Sequence, residues 1–269
     1  MSTEAEANRI AIRGVSKKFE TKDGVVHALD SIDLTVAPGE FVCLLGPSGC
    51  GKSTLLNAIA GFSLPSSGTI QVGGRDVTGP GPDRAMVFQE YALFPWMTVE
   101  KNVAFGLELR GDPKSEIRKK VDELLAMLSL AEFRGRFPKD LSGGMRQRVA
   151  IARVLALDAP TLLMDEPFGA LDALTRRNLQ DEVLRLWSAV KRTIVFVTHG
   201  IEESLYLADR IVVMTYRPGR VKKVIDVALP RPRDVASPEF NALERDVSRL
   251  VMEEQHRHAD AELHSATAD

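Results

Sequence analysis

Eight consecutive residues form a pattern that is typical of phosphate binding. Gly46-Pro47-Ser48-Gly49-Cys50-Gly51-Lys52-Ser53 matches G-x-x-x-x-G-K-[ST] and lies between an apolar segment, Phe41–Leu45, and a helix-forming segment that begins at Thr54. Glycines allow backbone N–H groups to turn inward around phosphate oxygens, and the N-terminus of the following helix adds a favourable dipole. Lys52 would reach the β- and γ-phosphates, and the Ser53 hydroxyl would bind Mg²⁺. We therefore predict that residues 46–54 hold the phosphates of a nucleotide.

The alternative explanation for this pattern is chance. At average residue usage a random chain of this length matches it roughly once in a hundred, and the predicted strand before it and helix after it reduce that frequency further. The two cysteines of the chain suggest no metal site or disulfide framework. Cys50 is interpreted as a small filler in the loop rather than a redox switch, and Cys43 as a buried strand residue.

Two adjacent carboxylates, Asp165 and Glu166, end a second apolar segment at residues 161–164. Successive strand residues point in opposite directions, so the two side chains can serve different partners. Asp165 would hold the Mg²⁺ shell opposite Ser53, and Glu166 would orient or deprotonate a water that attacks the γ-phosphate. The alternative is a solvated strand terminus, which explains one carboxylate better than two.

A histidine, His199, follows a third apolar segment at residues 194–198. Ligand sites in open α/β sheets lie at the carboxyl ends of the strands. His199 could there hydrogen-bond the γ-phosphate and hold the attacking water and Glu166. A single histidine at a strand end is more often structural, so the position alone does not decide its role.

Strands alternate with helices along the chain, which predicts a sheet with helices packed on it. Apolar segments without alternation are typical of parallel strands that are covered on both faces. The first two and the last two predicted strands are expected to be antiparallel and peripheral. The predicted strands are residues 9–13, 31–36, 41–45, 84–88, 161–165, 193–198, 210–214 and 221–227.

Strand signals are missing between residues 90 and 157, which predicts a helical insertion. Asp112-Pro113 marks a helix start, and a further helix is predicted to end at Leu157. An amphipathic stretch from Phe240 to Val251 predicts a C-terminal helix. From Gln255 onward the composition is polar, and disorder is expected.

Composition excludes several classes of protein. The 269 residues carry 35 basic and 37 acidic side chains, a net charge of −2 that provides no electrostatic footprint for nucleic acid. The longest apolar run has about five residues, against the roughly 20 of a membrane helix, and the acidic, polar opening at residues 1–8 is unlike a secretory signal. These features predict a soluble intracellular protein in a reducing compartment.

Residues 141–148, Leu-Ser-Gly-Gly-Met-Arg-Gln-Arg, open an amphipathic helix. A Ser-Gly-Gly segment at a helix start can bind an anion, although it also makes an ordinary turn. Together with the phosphate loop, these residues resemble the signature of ATP-binding-cassette (ABC) transporter nucleotide-binding subunits. The resemblance covers about residues 9–228, with the family's motifs in the expected order.

The resemblance implies roles for residues elsewhere in the chain. Phe19 resembles the aromatic residue that stacks on adenine, and Gln89 matches a glutamine that contacts Mg²⁺ and the attacking water. Asp172 matches the family's D-loop aspartate, and His199 matches its switch histidine. Two residues depart from the pattern: Met145 replaces the commoner Gln, and Gly200 replaces the common Asp, which puts the rigidity of that loop and its coupling to a dimer in question.

The resemblance also implies partners. Two cassettes of this family pair head to tail, so that each ATP lies between the phosphate loop of one copy and Ser142 and Gly144 of the other. Membrane permease subunits are expected to dock at residues 91–102, from Tyr91 to Asn102, on the cytoplasmic face of the plasma membrane. An extracellular or periplasmic solute-binding protein is an indirect partner. The apolar and aromatic residues of this segment could equally serve as core packing.

Residues 93–103, Leu-Phe-Pro-Trp-Met-Thr-Val-Glu-Lys-Asn-Val, resemble a segment of nitrate, sulfonate and taurine importers, as do residues 168–176 and 217–220. Only 43 residues follow Asp226, too few for the regulatory barrel of sugar-type cassettes. The predicted function is ATP hydrolysis that drives import of a small anion. The alternatives are an importer for another solute class or a soluble, non-transport cassette, for which the long coiled coils or tandem cassettes are missing.

The predicted fold is α/β: a P-loop NTPase (RecA-like) core with an antiparallel β subdomain, an α-helical insertion and a short helical C-terminal tail. The ATPase domain is expected to span residues 1–228, with its core at 1–89 and 158–228 and the insertion at 90–157. Residues 229–269 are expected to form the C-terminal helix and a disordered tail.

Overall fold

The computed structural model describes residues 8–22, 24–169 and 171–266. The chain forms two compact units. The first consists of the residues up to Gly81 together with those from Thr193 onward, and the second of Pro82–Arg192. Along the described ranges, no helix is long and apolar enough to cross a membrane.

The strands of the first unit are β1 (Ile10–Thr21), β2 (Gly24–Val36), β3 (Phe41–Leu45), β4 (Ser67–Val72), β5 (Arg75–Asp76), β8 (Thr193–Thr198), β9 (Arg210–Met214) and β10 (Val221–Asp226), and those of the second are β6 (Arg84–Val87) and β7 (Thr161–Asp165). The helices of the first unit are α1 (Lys52–Ala60), α6 (Ile201–Leu207) and α7 (Pro238–Ala266). Those of the second are α2 (Val99–Arg110), α3 (Lys114–Met127), α4 (Gly143–Ala156) and α5 (Ala173–Val190), with 3-10 turns at Ala131–Phe133 and Pro138–Asp140.

The first unit contains a four-stranded antiparallel sheet in the order β2-β1-β4-β5. The predicted pairing of the first two strands is confirmed, but both strands are longer than predicted and β4 was not predicted at all. The added part of β1 begins at Gly14, and its last six residues, Ser16–Thr21, are polar apart from Phe19 and half-buried or exposed, so they carry no apolar alternation. Register shifts between Ile12 and Lys17 interrupt the pattern further.

The same unit contains a second group of strands centred on β3. β3 pairs in parallel with β8 on one side and with β9 on the other, and β10 adds to β9 in the antiparallel sense. Every residue of β3 and β8 is buried, and the rings of Phe41 and Phe196 lie 5.9 Å apart between their centroids. The unbroken apolar segments therefore form parallel strands, as their sequences predict.

In the second unit, β6 and β7 pair in parallel, and the helices α2, α3 and α4 pack on one another. α2 and the residue that follows α4 approach closely at Gly106, where a β-carbon would lie 2.3 Å from Leu157 Cδ2. The unit also contains β6, β7 and α5, and is thus wider than the predicted insertion at residues 90–157. The boundaries of core and insertion stay a prediction.

The C-terminal helix is longer than the sequence predicts. α7 runs from Pro238 to Ala266 and passes Gln255, after which disorder was expected; residues 267–269 of the predicted tail lie outside the described residues. The polar composition that suggested disorder also contains good helix formers such as Glu, Gln, Arg and Ala, and a solvent-exposed helix can be built from them. The structure therefore describes residues 255–266 as helix, where disorder was predicted.

A single buried side chain holds the segment between β10 and α7. Arg233 is 6% exposed and donates to the carbonyl oxygens of five residues. These acceptors are Leu205, Tyr206 and Ala208 at the end of α6, and Val227 and Leu229 after β10. Burial, with the neighbouring Arg231, lowers the pKa of Arg233 to about 10. The guanidinium therefore remains charged at neutral pH and satisfies carbonyls that the end of α6 leaves without helical partners.

Two helix-capping glycines offer a test of the packing. Gly61 ends α1 and Gly111 ends α2, with φ of 84° and 82°. A β-carbon at Gly61 would lie 2.2 Å from the Gly79 carbonyl oxygen, whereas one at Gly111 would have no neighbour within 4 Å. We expect Gly111→Ala to cost about 1 kcal/mol of unfolding free energy from the left-handed backbone alone, and Gly61→Ala about 1–3 kcal/mol more from overpacking. Urea unfolding followed by circular dichroism measures both; equal losses would contradict this packing at Gly61.

Candidate nucleotide-binding site

The phosphate loop joins the buried strand β3 to helix α1. Gly49 and Gly51 have φ of 74° and 96°, a backbone region that suits glycine. At Gly51 a β-carbon would lie 2.7 Å from Leu29 Cδ2 and 2.8 Å from the Ala28 carbonyl oxygen. Glycine is therefore required at residue 51 by both conformation and space, and at residue 49 by conformation.

Lys52 is the first residue of α1, and its side chain turns back into the loop. The residue is 5% exposed, and its Nζ donates to the carbonyl oxygens of Gly46 and Pro47, each at 2.8 Å. No acidic residue occupies the first turn of α1. This end of the unit therefore carries a cation and a helix N-terminus, both of which favour a bound anion.

The other predicted residues of the loop fall into two groups. Ser48 is exposed, and Ser53 and Thr54 lie half-buried in the first turn of α1. Cys50 is buried with its Sγ 3.8 Å from Lys52 Nζ, and burial raises the pKa of its thiol despite the nearby ammonium. A neutral, enclosed thiol supports its interpretation as a filler.

His199 lies at the same edge of the unit as the phosphate loop. The parallel register pairs Leu45, the last residue of β3, with Thr198, the last residue of β8. Gly46 and His199, the next residues along the chain, therefore lie at the same ends of two neighbouring strands. Thr198 fixes the turn, because its Oγ1 donates to Glu203 Oε2 at 2.5 Å and accepts from the Gly200 N–H at 2.9 Å. Gly200 has an ordinary φ of −83°, but a β-carbon there would lie 3.2 Å from Glu203 Cβ.

The predicted adenine-stacking residue is a partly exposed aromatic ring. Phe19 lies on β1, opposite Val26 of β2, and is 39% exposed. Lys17 Nζ lies 5.1 Å from the centroid of its ring. The ring is thus available at the surface of the antiparallel sheet.

In the second unit, β6 and β7 bring three predicted residues to one edge. The last registered pair is Val87 with Met164, and Gln89 and Glu166 each lie two positions beyond it. Asp165 is 6% exposed. Glu166 has a φ of 45°, a conformation that costs a non-glycine residue on the order of 1 kcal/mol.

The Ser-Gly-Gly segment begins α4 as a capped helix start. Ser142 is exposed, and its Oγ accepts from the Met145 N–H at 3.2 Å. A β-carbon at Gly143 would lie 3.2 Å from Tyr91 Oη, and one at Gly144 would lie 3.0 Å from Leu171 Cδ2. The segment is therefore packed between the loop after β6 and the loop before α5.

Asp172 caps the N-terminus of α5. Its Oδ1 accepts from the Thr175 N–H at 2.9 Å. The backbone N–H and side chain of Thr175 lower the pKa of Asp172, and the carboxylate is exposed. Asp172 and Ser142 thus both occupy exposed helix caps of the second unit.

The segment after Gln89 is held by α4 and by a buried amide. Arg153 of α4 donates to the Ala92 carbonyl oxygen at 2.7 Å and stacks over the Phe94 ring. Asn102 is fully buried, accepts from the Phe94 N–H at 2.9 Å, and donates to the carbonyl oxygens of Phe94, Met97 and Thr98. Trp96 remains 70% exposed. Part of this aromatic segment is therefore core packing, and part faces outward.

Sequence reasoning missed two arginines that contact these loops. Arg153 lies within a predicted helix, but no local pattern reveals that it would reach residues 61 positions earlier. Arg217 donates through Nε to the Gly49 carbonyl oxygen of the phosphate loop at 3.2 Å, across 168 positions. Only its place in the turn between β9 and β10, which borders the loop, could have indicated the contact.

Comparison with known proteins places these features in a family. The model of the ABC transporter family matches residues 29–169. An uncharacterized ABC transporter ATP-binding protein of Methanocaldococcus jannaschii is 48% identical over 246 residues, 91% of this chain and 92% of the relative. The aliphatic sulfonates import ATP-binding protein SsuB of Bacillus subtilis is 48% identical over 219 residues, 81% of this chain and 85% of the relative.

A bicarbonate transport ATP-binding protein, CmpD of Synechocystis sp., is 46% identical over 228 residues, 84% of this chain and 81% of the relative. Among solved structures, a dimeric ATP-binding cassette in a post-hydrolysis state bound to ADP and Pi superposes with a TM-score of 0.75 and 32% identity, covering 81% of this chain and 98% of that one. The predicted P-loop NTPase fold is thereby confirmed, and the chain belongs to the ABC transporter family as an ATP-binding and ATP-hydrolysing nucleotide-binding subunit.

Proposed function

We propose that this chain is the ATPase of an importer for small anions, such as nitrate, sulfonates or taurine. The observation that carries the ATPase part is the phosphate loop, with glycines in the left-handed region and the Lys52 ammonium enclosed by the loop's own carbonyls. A triphosphate offers this cation charged partners, which bind it more strongly than two neutral carbonyl groups. Backbone N–H groups of the loop, with Ser53 and Thr54, hold the remaining phosphate oxygens, and Phe19 stacks on adenine.

The hydrolytic step is assigned to Glu166, His199 and Gln89. Glu166 accepts a proton from the attacking water, Gln89 orients that water, and His199 hydrogen-bonds the γ-phosphate. Ser53, Asp165 and Gln89 provide hard oxygen donors, which suit Mg²⁺. When bound, Mg²⁺ would neutralise charge on the phosphates.

The nucleotide site is proposed to be completed by a second copy of the chain. Ser142 and Gly144 at the start of α4, with Asp172 at the start of α5, would face the γ-phosphate bound by the other copy. The exposure of Ser142 and Asp172 supports this role, as does the dimeric form of the similar cassette bound to ADP and Pi.

Permease subunits are proposed to dock on the segment from Tyr91 to Asn102, at the cytoplasmic face of the membrane, and a solute-binding protein is an indirect partner. Trp96 offers an exposed aromatic side chain on a backbone that Asn102 holds rigid. Relatives named for import of aliphatic sulfonates and transport of bicarbonate support a small-anion solute. Because one of these relatives is named for bicarbonate transport, the second candidate function is import of another anion such as bicarbonate.

Glu166→Gln tests the assignment of the general base. The variant keeps the size of the side chain but cannot take a proton, so we expect ATP hydrolysis to fall about 10²–10⁴-fold with ATP binding retained. Steady-state hydrolysis and calorimetric titration measure the two quantities. The exposed carboxylate of α3 offers a matched control, and Glu123→Gln is expected to leave turnover unchanged. Normal turnover of the Glu166 variant would contradict its role.

The shared site predicts nucleotide-dependent assembly. In the Glu166→Gln protein ATP persists, so we expect sedimentation to show a dimer with ATP and a monomer with ADP, because only the γ-phosphate contacts Ser142 and Gly144 of the second copy. A second change, Ser142→Arg, introduces bulk at this contact and should abolish the dimer while preserving ATP binding. A dimer that forms equally with ADP would argue against the shared site.

The solute class is tested by reconstitution into liposomes with the cognate permease and solute-binding protein. We expect ATP-dependent uptake of radiolabelled taurine, alkanesulfonate or nitrate, and no uptake of sugars. Trp96→Ala should reduce coupled uptake at least several-fold without changing ATP binding by the isolated chain, whereas Leu109→Ala, at another exposed apolar residue of the second unit, should not. Uptake of bicarbonate alone would favour the second candidate, and uptake of sugars would exclude both.

A further inference from the structure

The turn between β9 and β10, residues 215–220, lies directly against the phosphate loop. Arg217 Nε donates to the Gly49 carbonyl oxygen at 3.2 Å. Gly219 approaches so closely that a β-carbon there would lie 2.2 Å from the Cys50 carbonyl oxygen. Two successive carbonyl groups of the loop are therefore in contact with the turn.

This contact bears on the direction of the loop's N–H groups. In a trans peptide the C=O and N–H point to opposite sides, so an arginine that holds the Gly49 carbonyl on the outside directs the Cys50 N–H to the inside. There the Cys50 nitrogen lies 3.4 Å from the Pro47 carbonyl oxygen, the same oxygen that accepts from Lys52. Arg217 thus orients a peptide group whose N–H faces the interior of the loop.

The turn is held from its other side by helix α7. The Tyr216 N–H donates to Glu254 Oε2 at 3.0 Å, and Lys222 Nζ lies 2.8 Å from Glu254 Oε1. Glu254 is fully buried. Burial opposes its ionisation, but Lys222, the Tyr216 N–H and Arg257 together lower the pKa of this carboxyl group. Charge-assisted hydrogen bonds of this kind are strong and directional, so Glu254 holds the turn firmly against α7.

A second contact joins α7 to the same turn. The rings of Tyr216 and His258 meet edge to face, with 4.3 Å between their centroids. Lys222, the second residue of β10 after the turn, also donates through Nζ to the Leu250 carbonyl oxygen at 3.1 Å and to Glu253 at 2.7 Å. The turn is therefore clamped between the C-terminal helix on one side and the phosphate loop on the other.

We propose that Arg217 and Glu254 are positioning residues for nucleotide binding: α7, through Glu254, holds the 215–220 turn, and Arg217 of that turn holds the phosphate loop in its binding conformation. The proposal rests on the assignment of residues 46–54 as the phosphate site. It gives the C-terminal helix a part in nucleotide affinity although none of its residues belongs to the loop.

The same turn provides a matched control. Arg220 is also exposed, but its guanidinium pairs with Asp30 of β2. The two arginines thus differ in whether their described contacts include the phosphate loop. Calorimetric titration of the purified full-length chain with MgADP gives dissociation constants, and thermal unfolding without nucleotide gives stability.

For the first pair of variants we expect Arg217→Ala to raise the MgADP dissociation constant about 3- to 10-fold, the range of a typical net hydrogen bond. Arg220→Ala should leave it within about twofold, and Arg217→Lys, which keeps a donor and the charge, should restore part of the loss. Equal effects of the Arg217→Ala and Arg220→Ala changes, or none from the former, would overturn the role of Arg217.

For the second pair, Glu254→Ala removes the acceptor of the Tyr216 N–H, and we expect it to weaken MgADP binding by a similar factor. Glu254→Gln retains an acceptor oxygen and should weaken binding less. Because Glu254 acts through Arg217, we expect the losses not to add. The variant that carries both Arg217→Ala and Glu254→Ala should bind MgADP no more weakly than the single variant with the lower affinity.

Additive losses in the double variant would show that Glu254 does not act through Arg217. A lowered unfolding temperature for Glu254→Ala with unchanged affinity would reduce α7 to a purely structural element. Lys52→Ala separates this inference from the proposed function: if it leaves MgADP binding intact, the phosphate-site assignment fails, whereas weak binding with Lys52→Ala and normal binding with Arg217→Ala would refute the positioning role alone.

Discussion

The near-complete removal of the Lys52 ammonium from water is the constraint on which the first unit is built. A cation in this position is tolerated only with hydrogen-bond acceptors around it, and here the acceptors are the carbonyl oxygens of Gly46 and Pro47. To turn these carbonyls inward the chain must curl tightly, which requires left-handed backbone at Gly49 and Gly51. The curl in turn lies so close to β2 that residue 51 has no space for a side chain. The contacts of Lys52 and the tight fit against β2 together explain why glycine occupies residues 49 and 51.

The second unit uses related chemistry at helix starts and strand ends. The side chains of Ser142 and Asp172 accept hydrogen bonds from backbone N–H groups at the beginnings of α4 and α5. Asp165 is the last residue of a fully buried strand, and Glu166 follows it. Polar groups are concentrated where regular hydrogen bonding stops, because only there are side chains and backbone donors available for a ligand. The buried strand β7 is mostly apolar, and the candidate site residues lie at its end and at the starts of α4 and α5.

The candidate site residues could be named from the sequence because their signals are local, and their roles stay predictions. The glycine spacing of the phosphate loop, the unalternating apolar segments of β3, β7 and β8, and the polar residues that follow them are each readable within ten residues. The long exposed ends of β1 and β2 and the whole of β4 could not be predicted in this way, because strands with few buried residues lack the alternation that reveals them. The helical state of residues 255–266 was missed for a similar reason, since a polar composition fits an exposed helix as well as disorder. Arg217 and Arg153 depend on contacts between distant parts of the chain, which no local pattern encodes.

The hydrogen bonds of Arg233 limit how far the chain can be truncated from its C-terminus. A chain that ends at residue 228, where the predicted ATPase domain ends, would lack the guanidinium and leave four carbonyl oxygens without their donor. Three of them lie at the end of α6, the helix that begins two residues after His199. Lysine could not substitute, because an ammonium has three donors and lacks the planar fork. Any shortened form meant for crystallisation or enzymology therefore has to extend at least to this arginine.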